Sequence, residues 1–121
     1  MKPEEQRVAI AKACGWTEIT FTGTSYQGIR PQSAKRYCNW NRPAPSPNVD
    51  DTREWHWLPD YTNSLDAMNE AVETLRHTPE WFDFQRLLMI ECGPWMNCIQ
   101  ASAAQRAEAF LKTLSLWKND N

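Results

Sequence analysis

The stretch 63–77, NSLDAMNEAVETLRH, decides the fold class. Leu65, Met68, Val72 and Leu75 recur at spacings of three and four, which places them on one stripe of a helix. Asn63 or Ser64 supplies an N-cap oxygen, Asp66 complements the positive end of the helix, and Arg76 and His77 complement the negative end. A helix of this kind buries one face and needs a second layer to bury it against. The block 16–22, WTEITFT, supplies one: Thr17, Ile19 and Phe21 alternate with Glu18, Thr20 and Thr22, the period of a half-buried strand. Helix-period and strand-period segments in so short a chain predict an α/β (α+β) class, with helices packed on a small mixed or antiparallel sheet.

The remaining segments extend this reading. Pro3 suits a first helical position, and Glu4 and Glu5 favour a helix start. Val8, Ile10, Ala11 and Cys14 form its apolar side, and Gly15 ends it. Gly23 turns the chain after the strand. Further extended segments are expected at 35–40 and 54–58, both rich in aromatic residues. Three prolines within 43–47 predict a loop between them, because proline lacks the amide that a sheet interior uses. Thr78-Pro79-Glu80 opens another helix carrying Trp81, Phe84, Leu87, Leu88 and Glu91, which Gly93-Pro94 terminates. WMNCIQA (95–101) reads as a strand. Ser102 and Gln105 have capping-box spacing, and Ala107, Phe110, Leu111 and Leu114 form the buried face of the last helix.

Composition bounds the functional classes. The 121 residues suffice for one domain with a hydrophobic core, and 41% hydrophobic with 23% charged residues is a globular balance. A net charge of −2 provides no global attraction to nucleic acid. No apolar run approaches the roughly 20 residues of a membrane span, and MKPEEQRVAI lacks a secretory apolar core, so a cytoplasmic protein is expected. Cys14, Cys38, Cys92 and Cys98 lack zinc-knuckle spacing and read as small buried hydrophobes; no metal and no cofactor is expected.

IAKACGW (10–16), PDYTNSLDAMNEAVETL (59–75) and ASAAQRAEAFLKTLSLW (101–117) together resemble the phage ABA sandwich domain family, small phage and prophage proteins. The resemblance implies a single domain over 1–121, an α-β-α layered sandwich and a phage or prophage origin. It implies no activity. The segment at about 23–57 departs from the short strand-turn-strand expected there and reads as a Pro-rich, aromatic insertion where a specific function resides.

That insertion combines cations with flat rings. Arg30, Lys35, Arg36, Tyr37, Trp40 and Arg42 follow one another with no acidic residue before Asp50, and Arg53, Trp55, His56 and Trp57 come next. Arginine holds phosphate oxygens in a bidentate fork, and tryptophan or tyrosine stacks on a base. Ligand-binding roles are therefore expected for Arg36, Tyr37, Trp40, Arg42, Arg53, His56 and Tyr61. The competing reading of 54–57 is structural: Trp55 and Trp57 share a core-facing side of one strand, and Glu54 and His56 point to solvent. Neither His56 nor His77 sits in a nucleophile motif, and Asp50, Asp51, Glu54 and Asp60 match no metal loop, so no catalytic residue is assigned. The expected function is a non-enzymatic, phage-encoded binder that sequesters a nucleotide-derived small molecule in counter-defence. Two alternatives are a protein-protein inhibitor or adaptor and a nucleotide phosphodiesterase. A homo-oligomer is expected, because sheet edges in a small chain invite pairing.

Overall fold

The computed structural model describes residues 1–31, 43–44, 55–93 and 100–119. In chain order the elements are α1 (Pro3–Ala13), β1 (Thr17–Phe21), β2 (Tyr26–Ile29), β3 (Pro43–Ala44), β4 (Trp55–Trp57), α2 (Leu65–Glu73), α3 (Glu80–Cys92) and α4 (Ala103–Thr113). The strands form one antiparallel sheet in the order β1-β2-β4-β3, and the fold is α+β. α4 is the central helix, packing against α3, α1 and α2. Its buried residues Ala107, Phe110 and Leu111 meet Ile10 and Ala11 of α1, Met68 and Val72 of α2, and Phe84 and Leu88 of α3 in one core.

The helix ends follow local chemistry. Gly15 has φ +99°, and the Trp16 amide bonds back to the Ala11 carbonyl at 3.0 Å, a Schellman closure of α1. Ser64 Oγ accepts from the Ala67 amide, and Ser102 and Gln105 form the full capping box. α2 stops at Glu73, one turn short of the expected end. Bonds from the amides of Thr74, Leu75 and Arg76 to residues three positions back tighten the chain, and the Thr74 hydroxyl donates to the Ala71 carbonyl at 2.7 Å. His77 therefore lies beyond the helix, and Arg76 pairs with Glu73. Leu65, expected in the apolar stripe, is 47% exposed, whereas Ala67, Met68, Ala71 and Val72 carry the buried face of α2.

The sheet departs from the expected pattern in three places. The pairing of Thr17 with Ile29 and of Thr20 with Gln27 leaves one extra residue in β1, a bulge in which Glu18 adopts φ +53°. The bulge breaks the alternation, so Thr17 and Phe21 are exposed while Ile19 and Thr20 are half-buried. β2 closes a short hairpin with β1, across a turn where the Thr22 amide bonds the Ser25 carbonyl, so the turn and the second strand of a hairpin occupy the first residues of the segment 23–57. Pro43 and Ala44, expected in a loop, form edge strand β3, where a missing amide is tolerated. The strand expected at 35–40 and most of that at 95–101 lie outside the described residues.

β4 corrects the two-sided reading of 54–57. Trp55 is buried as the structural reading expects, but its neighbour His56 is only 6% exposed rather than solvent-facing. Successive strand residues point to opposite faces, so both faces of the sheet are covered at β4. Gly28 sits opposite His56, and a Cβ there would lie 3.1 Å from the Thr17 carbonyl oxygen.

Candidate functional site

α1 carries two faces. Gln6, Ile10 and Ala11 turn into the core, while Glu5, Val8, Ala9, Lys12 and Ala13 line a cleft on the other side. Their spacing of three and four is that of a single helical face. The opposite wall comes from Tyr26 at the start of β2 and from the chain after α4, which returns through Ser115 at φ +60°. The Leu116 amide bonds the Leu111 carbonyl at 2.8 Å, and this reversal brings Leu116 and Lys118 to the cleft.

The cleft has a volume of about 580 Å³, within the range of small-molecule sites. Its floor is apolar, from Val8, Ala9, Ala13 and Leu116, and it has one aromatic wall in Tyr26, whose ring lies 4.9 Å from that of Phe21. Two lysines and one carboxylate, Lys12, Lys118 and Glu5, contribute a net charge of +1. Lys12 lies in the last turn of α1, where it also offsets the negative helix end. An apolar floor, one ring and two ammonium groups suit a flat molecule carrying an anionic group.

A second cleft, of about 370 Å³, lies on the other side of the same C-terminal segment, among Gln6, Asn63, Gln105, Glu108 and Trp117. Among the described residues its lining has no lysine or arginine, and its one charged group there, Glu108, has its carboxyl raised by the hydrogen bond with Glu91. Lys112 Nζ bridges Glu91 at 2.6 Å and Glu108 at 3.5 Å, tying α3 to α4, and lies 5.7 Å from the Trp117 ring centre. This cleft is matched to a neutral or cationic group rather than to phosphate.

Of the expected ligand-binding residues, Arg36, Tyr37, Trp40, Arg42 and Arg53 lie outside the described residues, as do Cys38, Cys98, Asp50, Asp51 and Glu54. His56 and Tyr61 are core residues. Tyr61, 2% exposed, packs in the central cluster, and its hydroxyl is shifted strongly upward by burial and by the nearby Cys14 and Glu70. This packing leaves no open ring face on Tyr61 for base stacking. Burial likewise pushes the Cys14 thiol up to about 12, where it is a poor nucleophile. Among the described residues no group of three or more His, Cys, Asp or Glu side chains is placed to hold a metal ion, and no helix is long and apolar enough to cross a membrane.

The lysine cleft was not legible in the sequence. Lys12 and Lys118 stand 106 positions apart, and only the reversal at Ser115 brings them together. The chain matches no family model, no curated protein and no solved structure.

Proposed function

We propose that the protein binds a nucleotide-derived small molecule without transforming it, and that the ligand occupies the cleft between α1, Tyr26 and the C-terminal segment. The observation that carries the reading is the convergence of Lys12 and Lys118 over an apolar floor with the Tyr26 ring at its side. The base lies on the floor against Tyr26, and the phosphate faces the two ammonium groups. The cations and rings of the segment from Arg36 to Arg53 support the same ligand class. The phage or prophage origin that the resemblance of 10–16, 59–75 and 101–117 implies is the setting in which such binding would serve counter-defence, by removing a host signal; the resemblance itself implies no activity.

Heat release tests the proposal. The protein is incubated with a panel of cyclic and linear nucleotides, desalted and heated, and the supernatant is analysed. Intact release of one nucleotide is the expected result. Altered release would replace sequestration with phosphodiesterase chemistry, and retention of none of the panel would overturn the ligand class.

A further inference from the structure

α3 is apolar on both sides. Phe84 and Leu88 are buried in the core, yet Phe82 is 74% exposed and Ile90 72% exposed, with Met89 exposed beside it. Residues 82, 86, 89 and 90 follow one another at the spacing of a single helical face. A helix that is hydrophobic all round is normally covered all round, and clustered exposed apolar side chains mark an interaction surface. Between the apolar ends of this face lie one acid and one base: Asp83 and Arg86, paired at 3.2 Å and both largely exposed.

We propose that this face binds the same face of a second copy of the chain, α3 antiparallel to α3 about a two-fold axis near Arg86. Such an axis sets each residue opposite the one equally far on the other side of position 86. Phe82 of one copy then meets Ile90 of the other, at both ends of the contact. Asp83 of each copy comes within one turn of Arg86 of the other, about 4.5 Å along the helix, which an arginine side chain spans. The two arginines nearest the axis share the two aspartates, one from either copy, so the charges of the contact cancel. The patch thus supplies its own complement in apolar groups and in charge, which is the requirement for an isologous interface.

Light scattering and sedimentation equilibrium on the full chain test this. The parent is expected at twice 14.1 kDa, and Ile90→Glu at 14.1 kDa with an unchanged far-ultraviolet circular dichroism spectrum. Asp83→Arg gives a face with two bases, and Arg86→Asp a face with two acids. Each variant alone is expected as a monomer, and an equimolar mixture is expected to restore the doubled mass. A parent that remains at 14.1 kDa at all concentrations, a doubled mass that survives Ile90→Glu, or a mixture that stays monomeric would overturn the proposal.

Discussion

Arg7 on α1 donates from Nε to the Pro59 carbonyl oxygen at 2.8 Å and from Nη2 to the carbonyl of Leu58. The guanidinium thereby fastens the helix that walls the lysine cleft to the chain leaving β4, 52 positions away in sequence. Both acceptors belong to a buried segment in which Leu58 is a core residue, so loss of the donor leaves carbonyls without it in a dry place. Arg7→Met is expected to cost about 1.5–3 kcal/mol, the range for hydrogen bonds from a charged group. Urea unfolding checks this, and a change under 0.5 kcal/mol would show that the clasp is dispensable.

Three leucine and phenylalanine positions separate the core from its margin. Phe110 and Leu75 are buried, and truncating either to alanine is expected to cost about 2–5 kcal/mol through lost burial and the cavity left behind. Leu65 lies in the same sequence stripe as Leu75 but is half exposed, so Leu65→Ala is expected to cost less than about 1 kcal/mol. Thermal melting of the three variants distinguishes the packed stripe from the one periodicity alone would draw.

Ser115 occupies a left-handed position that glycine fills without a Cβ clash. Ser115→Gly is expected to raise stability by roughly 0.5–1 kcal/mol while preserving the reversal that carries Leu116 and Lys118 to the cleft. A fall in the melting temperature would contradict the assigned backbone conformation.

Stability has an alkaline limit set by Cys14 and Tyr61. Burial raises both groups above their ordinary values, the Cys14 thiol from 9.0 to about 12. The unfolded chain releases these protons first, so it binds fewer protons than the native state above about pH 9, and stability falls as pH rises from there. Below pH 9 the contribution is fully present. Melting curves between about pH 8 and 11 are expected to decline more steeply for the parent than for Cys14→Ala, which removes the thiol's share of the titration. Equal slopes would show that the thiol does not titrate with unfolding.

What the sequence makes legible is what neighbouring residues decide. The capping box at Ser102 and Gln105, the Ser64 cap and the Gly15 stop depend on contacts within a few positions, and all are in place. The β1 bulge and the β2 strand depend on cross-strand register, and β3 on pairing with β4; strand alternation in 17–22 is silent about an extra residue. The burial of His56 beside Trp55 shows cover on both faces of β4, which the triplet Trp-His-Trp does not encode. The same limit applies to the site: helical spacing identifies the α1 face, but only the fold of the C-terminal segment brings Lys118 to the cleft that Lys12 lines.

The lysine cleft as a nucleotide site is the central claim, and titration calorimetry beside melting curves tests it most directly. The series comprises the parent, Lys12→Ala, Lys118→Ala, Arg36→Ala and Arg53→Ala, each titrated with the nucleotide released on heating. Lys12→Ala and Lys118→Ala are each predicted to weaken binding by about 1.5–3 kcal/mol, the range for charged hydrogen bonds, at unchanged melting temperature. Parent-like affinity in both lysine variants would contradict the claim, and loss confined to Arg36→Ala and Arg53→Ala would move the site to the arginine-rich segment.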